Sequence, residues 1–244
     1  METPFQLSSL DGKKIFGTLT QASASGHPSE KLLVFVHGLG ADSNRHIFYN
    51  GARYFSANEI DTCRFDFHPG GAEGRFLRQT TLETQTADLE SVLNHFRGQY
   101  KSIIVAAHSL GGIVALQANP QLFDALILIA CAAKDVLHET QIITPYNNEY
   151  IANYGVQYLL STAMYDSMKS CPSISQFAQK IAKPLLVTCG TLDFFSKYAQ
   201  QYFDAAATKT KALHFIDGAG HSFNEAETEA ELFKISLGFI NSVK

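Results

Sequence analysis

Six short apolar runs restrict the fold of this chain more than any other feature of its sequence. They span residues 32–36, 62–67, 102–107, 125–130, 184–189 and 212–216. Runs of this length with few polar residues are typical of strands that are covered on both faces. Helical segments separate most of them, and strands that alternate with helices predict an α/β fold: a mainly parallel sheet with helices on both faces.

Local patterns predict further elements. Alternating apolar residues on either side of Asp11-Gly12 indicate an antiparallel hairpin, which brings the sheet to eight strands. A helix is expected from Leu82 to Arg97, with Thr80 and Glu83 as its capping box. Its apolar face comprises Leu82, Thr86, Leu89, Leu93 and Phe96. A second amphipathic helix closes the chain, with one face formed by Ala226, Ala230, Phe233, Leu237 and Ile240.

Composition limits the classes of partner. Of the 244 residues, 17% are charged, the net charge is −4, and no run of Lys or Arg occurs. Nucleic acid and anionic lipid are therefore not expected partners, and a neutral or mildly charged small molecule is favoured. The N-terminus lacks the pattern of a secretory signal, and the longest apolar run, residues 125–133, is too short to span a membrane. The sequence predicts a soluble protein without stable membrane insertion and leaves the oligomeric state unknown.

Cysteine usage favours a reducing environment. Three of the four cysteines, Cys63, Cys131 and Cys189, lie in or at the ends of apolar runs, where free cysteine behaves as a small hydrophobe. Neither a CxxC pair nor a disulfide framework is present. We therefore expect no metal site and no disulfides, and a cytoplasmic location.

The segment between the fourth and fifth of these apolar runs is far longer than an ordinary connection in an α/β unit. It predicts a division of the chain into a core of residues 1–131 and 184–244 and a small inserted lid of residues 132–183.

Tyrosines recur in the lid at steps of four. They are Tyr146, Tyr150, Tyr154 and Tyr158, followed by Tyr165. On a helix they would drift slowly around one face, although Gly155 argues against one uninterrupted helix. They either pack the lid on the core or line a pocket. The candidate substrate-binding residues are Tyr146, Tyr150 and Tyr154.

The stretch AHSLGG places one serine where a buried strand turns directly into a helix. Such a turn lifts Ser109 above the sheet edge and strains its backbone by about 1–3 kcal/mol. It leaves room only for small neighbours, which Ala107, Gly111 and Gly112 provide. Ser109 would also lie at the N-terminus of the helix, whose free N–H groups and dipole favour negative charge that develops nearby. The pattern predicts a nucleophile.

A serine nucleophile needs a base, and the base needs an anion that holds its tautomer. Later apolar runs are followed by Asp193 and His221. Because parallel strands end at one edge of the sheet, these side chains are expected to meet Ser109 there. The loop HGLG follows an earlier strand, and the backbone N–H groups of Leu39 and Leu110 are the candidate oxyanion hole.

These residues resemble an α/β hydrolase over essentially the whole chain. The order Ser, Asp, His after the fifth, seventh and eighth strands is that superfamily's arrangement, while Ala107 departs from the usual first glycine of the serine turn. The short lid and the turn CRFDFHPGG are most similar to small esterases of the cinnamoyl or feruloyl type, and next to monoacylglycerol lipase-like enzymes. The resemblance implies a carboxylesterase that cleaves small or aryl/acyl esters through an acyl-enzyme, without a metal or organic cofactor.

Two aspartates compete with Asp193 for the role of the anion. Asp217 is too close to His221 along the chain and is expected to shape a turn. Asp66 also follows a strand at this edge, but a structural ion pair with Arg64 is the favoured interpretation.

Three histidines have supporting roles in this interpretation. His37 and His108 are expected to donate or accept hydrogen bonds rather than to act as acid or base. His68 either lines the pocket entrance or lies in a solvated loop.

Two other functions stay open. A peptidase or amidase of the same fold would need a carboxylate for the substrate amine, and the candidates are Asp135, Glu139, Glu149 and Asp166. A receptor or carrier of the same fold would bind a ligand without turnover.

Overall fold

The computed structural model describes residues 1–22, 29–134, 142–154 and 156–243. The strands, in chain order, are β1 (Glu2–Ser8), β2 (Lys14–Thr20), β3 (Lys31–Val36), β4 (Asp61–Asp66), β5 (Ser102–His108), β6 (Ala125–Ile129), β7 (Ile143–Tyr146), β8 (Glu149–Asn153), β9 (Gln157–Leu160), β10 (Leu185–Gly190) and β11 (Lys211–Ile216). The helices are α1 (His46–Ala57), α2 (Leu82–Phe96), α3 (Leu110–Gln117), α4 (Thr162–Ser170), α5 (Ile174–Ala178), α6 (Ser196–Ala205) and α7 (Thr228–Ser242), with short 3-10 helices at Leu77–Gln79 and Pro120–Leu122.

Eight strands form one sheet in the order β1-β2-β4-β3-β5-β6-β10-β11. β2 pairs antiparallel with β1 and with β4, and the other neighbouring pairs are parallel. The central strand β5 is buried along its whole length. The bounds of the six predicted apolar strands agree with the structure to within one residue. The predicted α/β fold with a mostly parallel eight-stranded sheet is confirmed.

Side chains alternate between the two faces of the sheet, and because the central strands are apolar throughout, both faces are apolar. Helices cover both. On one face, the ring of Phe35 in β3 lies 6.1 Å from that of Phe55 in α1, which in turn contacts Phe233 of α7. On the opposite face, Leu128 of β6 lies against Gly112 of α3. The sheet is therefore a buried layer, and functional side chains are restricted to the loops at its edges.

Helix α2 lies where the sequence predicts it, but its cap differs. The hydroxyl of Thr81 accepts a hydrogen bond from the Thr84 N–H at 3.2 Å, and the Thr84 hydroxyl accepts one from the Thr81 N–H at 2.8 Å. The hydroxyl of Thr80 instead donates to the carbonyl of Leu77. The predicted box of Thr80 and Glu83 is wrong because a 3-10 turn precedes the helix and takes up Thr80.

The closing helix α7 begins later than its predicted face. Ala226 lies before it, Ala230 is exposed and Leu237 is half-buried. Its buried residues are Thr228, Leu232, Phe233, Ser236 and Ile240. Two of the five predicted positions, Phe233 and Ile240, are therefore buried. No helix in the described ranges is long and apolar enough to cross a membrane.

A second, antiparallel sheet of β7, β8 and β9 lies between β6 and β10 in the chain and is followed by α4 and α5. Asn147 and Asn148, with φ of 44° and 63°, form the two-residue turn from β7 to β8. Two consecutive positive φ values suit such a hairpin turn. The tyrosines at steps of four lie on these strands and at their ends, so the helical arrangement considered from the sequence is wrong. Gly155 lies outside the described residues.

A buried arginine ties the first hairpin to α2. The side chain of Arg75 is 2% exposed, and that of Asp88, its ion-pair partner in α2, is 0% exposed. Arg75 also donates to Asp11 in the β1–β2 turn at 2.7 Å. The Ser9 hydroxyl donates to Asp88 at 2.5 Å. The buried guanidinium is therefore paired with one buried carboxylate and with a second, Asp11, that is 44% exposed.

Removing Asp88 should destabilise the fold strongly. Asp88→Ala leaves the buried Arg75 guanidinium without its fully buried counter-charge and only with the half-exposed Asp11; removing one partner of a buried pair costs about 3–5 kcal/mol. Glu30→Ala is the matched control, because Glu30 and its partner Lys101 are exposed and such pairs contribute at most about 1 kcal/mol. Urea unfolding of both variants checks this expectation. Equal losses of unfolding free energy in the two variants would contradict it.

Candidate active site

Ser109 occupies the sharp turn between β5 and α3. Its backbone has φ 56° and ψ −125°, a conformation in which a residue with a Cβ is strained. Its N–H donates to the carbonyl of Ile129 at 3.0 Å, and its carbonyl accepts from the N–H of Ala132 at 3.1 Å. The strained turn predicted from the sequence is present, and bonds to the end of β6 hold it on both sides.

Glycines allow α3 to approach the sheet closely after the turn. A Cβ at Gly111 would lie 2.6 Å from the carbonyl oxygens of Val36 and His37 at the end of β3. At Gly112 it would lie 2.3 Å from the sulfur of Cys131. Both distances are far below van der Waals contact, so the predicted requirement for small residues after Ser109 follows from the backbone of β3 at Gly111 and from the Cys131 side chain at Gly112.

The structure brings the side chains of Ser109, His221 and Asp193 together. Asp193 follows β10 and His221 follows β11, at the same edge of the sheet as Ser109. His221 Nε2 lies 3.0 Å from Ser109 Oγ, and His221 Nδ1 lies 3.0 Å from Asp193 Oδ2. Since a carboxylate only accepts, Nδ1 carries the proton and donates to Asp193, which leaves Nε2 free to accept from the serine hydroxyl.

Asp193 is held as a carboxylate. Burial by itself raises the pKa of this group, but the hydrogen bond and charge of His221 oppose it, and the net pKa is lowered. The Phe195 N–H at 3.0 Å and the Cys189 thiol at 3.4 Å also donate to the Asp193 carboxylate. Asp217 does not take this place, because its carboxylate accepts from the Thr191 hydroxyl.

His108 supports the loop that carries His221. Its Nε2 lies 2.9 Å from the carbonyl oxygen of His221, so the ring donates from Nε2. Burial, with a smaller contribution from the charge of His221, lowers the pKa of His108 to about 3. On the other side of the loop, the Gly220 N–H donates to Glu225 at 3.0 Å. The orientation of His221 is therefore fixed through its backbone as well as its side chain.

The candidate oxyanion donors lie in the loop after β3 and at the start of α3. Gly38 is so close to the nucleophile that a Cβ there would lie 2.9 Å from Ser109 Cβ. Leu39 and Leu110 both line the cavity above Ser109. Within the described ranges, neither backbone N–H donates a hydrogen bond. Leu39 and Leu110 therefore remain the candidate oxyanion donors.

His37 and Asp66 fix the loop after β3. His37 Nε2 accepts from the Phe67 N–H at 3.1 Å, and its Nδ1 lies 2.9 Å from the carbonyl of Gly38. Burial is the main cause that lowers the pKa of His37 to about 3. Asp66 accepts from the N–H and hydroxyl of Ser43.

The expected ion pair of Asp66 with Arg64 is wrong. Arg64 instead pairs with Glu2 of β1 at 2.8 Å and donates to Asn44. Arg64 and Asp66 are two positions apart and so share a face of β4. Asp66, however, lies at the end of the strand, where its carboxylate turns to Ser43 in the loop after β3.

A cavity of about 190 Å³ lies above Ser109. Its core side includes Gly38, Leu39, His108, Ser109, Leu110, Phe195 and His221. Its other side comes from the inserted segment and includes Tyr154, Val156, Tyr158 and Met168. Ser109, His221 and the two candidate oxyanion residues therefore line one cavity, while Asp193 lies buried behind His221. Among the described residues, no group of three or more His, Cys, Asp or Glu side chains is placed to hold a metal ion.

The candidate substrate-binding tyrosines separate in the structure. Tyr154 lines the cavity, whereas Tyr146 is 52% exposed at the end of β7 and lies outside it. Tyr150 also lies outside the cavity, where its ring stacks on Tyr165 with centroids 3.8 Å apart. The structure does not bring Tyr146 and Tyr150 to Ser109. Tyr146 pairs with Glu149 and so lies on the opposite face of the small sheet from Tyr150. Tyr150 shares a face with Tyr158, but its ring is held by Tyr165.

Tyr158 is a cavity residue that the candidate set omits. Its ring packs on Gly40, where a Cβ would lie 2.1 Å from the Tyr158 ring and where φ is 63°. Its place in the four-residue repeat was a signal for it. His68 lies outside the cavity lining, with its ring 5.1 Å from that of His37.

The two described candidates for the acidic anchor, Glu149 and Asp166, do not line the cavity. Glu149 pairs with Arg78 at 2.7 Å, and Asp166 on α4 is exposed and outside the lining. Asp135 and Glu139 lie outside the described residues. No aspartate or glutamate occurs among the described lining residues.

Comparison with known proteins agrees with this architecture. The family model described as serine aminopeptidase, S33, matches residues 27–148, which is half of the chain. The chain belongs to this family and is an α/β hydrolase. A comparison with curated protein sequences gives no match.

Solved structures share the fold at low sequence identity. The ferulic acid complex of Est1E from Butyrivibrio proteoclasticus is 16% identical, with a TM-score of 0.81, over 98% of this chain and 100% of that chain. The esterase domain of a Rhodothermus marinus protein is 18% identical, with a TM-score of 0.75, over 98% and 97% of the two chains. The α/β hydrolase GrgF from Penicillium sp. sh18 is 18% identical, with a TM-score of 0.76, over 100% and 99%.

Neutral, buried His108 should make stability depend on pH. Its pKa of about 3 lies below the ordinary 6.5, so the unfolded chain binds more protons and stability falls as the pH drops below 6.5. Between pH 7.5 and 5.0 the loss from this group is about 2 kcal/mol. In His108→Gln, which keeps a donor without a titrating ring, urea unfolding should show a pH dependence smaller by about this amount.

His214→Gln is the control, since His214 lies exposed on β11. It should retain the wild-type difference in unfolding free energy between the two pH values. The same pH dependence in wild type and His108→Gln would contradict the role of His108.

Proposed function

We propose that the protein is a serine carboxylesterase that works through an acyl-enzyme on Ser109. The observation that carries the proposal is the chain of two 3.0 Å hydrogen bonds from Asp193 through His221 to Ser109. A base within hydrogen-bond reach of the hydroxyl, itself oriented by a carboxylate, is what activation of a serine requires.

The first half of the proposed reaction forms the acyl-enzyme. His221 Nε2 takes the hydroxyl proton while Ser109 Oγ attacks the ester carbonyl carbon. The carbonyl oxygen becomes an oxyanion, which the N–H groups of Leu39 and Leu110 stabilise. The C–O bond to the alcohol then breaks, and His221 returns its proton to the leaving oxygen. Asp193 stays ionised and stabilises the His221 imidazolium.

The second half releases the acid. His221 takes a proton from a water molecule, whose oxygen attacks the acyl carbon, and then protonates Ser109 as the acyl–serine bond breaks. The protein groups alone balance the protons in both halves. The proposed mechanism therefore requires no metal or organic cofactor.

We assign residues 132–183 to a lid over the site. Tyr154, Val156, Tyr158 and Met168 of this segment line the cavity, whose volume of about 190 Å³ suits a small acyl or aryl group. Tyr154 and Tyr158 are the substrate-contacting tyrosines of this proposal. Esterases among the solved structures with this fold, including one that holds ferulic acid, support an ester as the substrate.

An aminopeptidase, which the family description suggests, is the weaker candidate. Recognition of a substrate amine requires a carboxylate at the pocket. Glu149 is engaged by Arg78, and the described lining residues include no carboxylate. An ester, whose alcohol needs no such anchor, fits the observed lining better.

Ser109→Ala tests the nucleophile. We expect loss of hydrolysis of short 4-nitrophenyl esters by a factor of about 10⁴ or more, since the remaining oxyanion donors act without a covalent step. A fluorophosphonate probe should label the wild type on the peptide that contains Ser109. Ser91→Ala is the matched control, because Ser91 lies on α2 and outside the cavity.

The outcome distinguishes the proposed enzyme from a receptor of the same fold. Wild type that neither hydrolyses any ester nor reacts with the probe would exclude the esterase. Equal hydrolysis by wild type and Ser109→Ala would assign the nucleophile elsewhere.

A further inference from the structure

Two cationic side chains face the cavity that holds Ser109. Arg45 immediately precedes α1, and Lys134 follows the end of β6, so that they reach the cavity from different parts of the chain. The chain as a whole is acidic, with a net charge of −4. A pair of cations at one cavity is therefore not a consequence of general composition.

Neither cation is neutralised by the described part of the protein. Arg64, Arg75, Arg78 and Lys101 all pair with carboxylates, whereas no ion pair or side-chain hydrogen bond of Arg45 or Lys134 occurs among the described residues. His46, another lining residue, is engaged by Glu229 at 2.6 Å.

The cavity offers no described carboxylate of its own. No aspartate or glutamate is among its described lining residues, and the Asp193 carboxylate is fully buried behind His221. The charge of Arg45 also contributes to lowering the pKa of His37 and of His108. Its field thus extends to the residues that support the nucleophile and the oxyanion loop.

We propose that this cavity selects esters that carry a carboxylate on their acyl or alcohol part, bound by Arg45 and Lys134. The inference rests on the proposed esterase function and names the substrate class of that site. A guanidinium binds a carboxylate through two parallel hydrogen bonds, and an ammonium adds a compact second charge. Val156 and Met168 supply apolar lining for the rest of such an ester.

Matched ester pairs test the selection. On the alcohol side, 4-acetoxybenzoate is compared with neutral 4-acetoxybenzamide. On the acyl side, the mono-4-nitrophenyl ester of adipic acid is compared with 4-nitrophenyl hexanoate. We expect kcat/KM to be about tenfold or more higher for the anionic member of at least one pair, and the ratio to fall as salt is added.

Paired substitutions locate the effect. In Arg45→Gln with Lys134→Gln, the anionic-to-neutral ratio of kcat/KM should fall about tenfold. The control is Arg53→Gln with Lys169→Gln, which removes the same charge from exposed positions outside the cavity and should keep the wild-type ratio. A ratio near one in wild type, or an equal fall in both double variants, would overturn the inference while leaving the esterase intact.

Binding without turnover separates this inference from the proposed function. Calorimetric titration of Ser109→Ala with the anionic and the neutral member of each pair does not require hydrolysis. Tighter binding of the anion in at least one pair, weakened by removal of Arg45 and Lys134, supports the cation pair even if the wild type proves inactive. Equal or absent binding within both pairs contradicts it.

Discussion

The backbone of Ser109 is the constraint on which the rest of the site depends. A positive φ of 56° costs a residue with a Cβ about 1–3 kcal/mol, and the fold maintains it because both sides of the turn are fixed. The Ile129 carbonyl and the Ala132 N–H bond to the Ser109 backbone, and Gly111 lets α3 approach the end of β3. The strain leaves the hydroxyl directed at His221 and open to the cavity.

Around this serine one buried group, Asp193, is ionised, and two buried groups, His37 and His108, are neutral. Asp193 keeps its charge because His221, the Phe195 N–H and the Cys189 thiol donate to it. His37 and His108 are kept neutral, since burial lowers the pKa of each to about 3. A charged histidine beside His221 would oppose the proton transfer that the proposed mechanism requires. The same two rings hold the oxyanion loop and the His221 loop through hydrogen bonds.

Much of the core was predictable because burial leaves a simple pattern. Strands covered on both faces must be apolar throughout, so the sequence marks β3, β5 and β10 directly. The convergence of Ser109, Asp193 and His221 follows from a parallel sheet, whose strands all end at one edge. These inferences need only the periodicity of the chain and the direction of the strands.

The lid and the supporting contacts were less accessible from the sequence. A step of four suits a helix, yet Tyr146 and Tyr150 lie on a hairpin that the pair Asn147-Asn148 could have indicated. Arg64 and Arg75 pair with Glu2 and Asp11, which are distant in sequence, and these pairs depend on how the first hairpin docks. Tyr150 and Tyr158 share one face of the small sheet, and the presence of Tyr158 rather than Tyr150 at the cavity depends on tertiary contacts such as the stacking of Tyr150 on Tyr165.

The central claim is that hydrolysis passes through an acyl group on Ser109. The most direct test is how this acyl-enzyme partitions between attack by water and attack by methanol. Phenyl and 4-nitrophenyl hexanoate are hydrolysed by the wild type in the presence of methanol, and methyl hexanoate and hexanoate are quantified. A shared acyl-enzyme predicts the same product ratio from both esters, because the leaving group has departed before methanol or water attacks. Product ratios that depend on the leaving group would contradict the account.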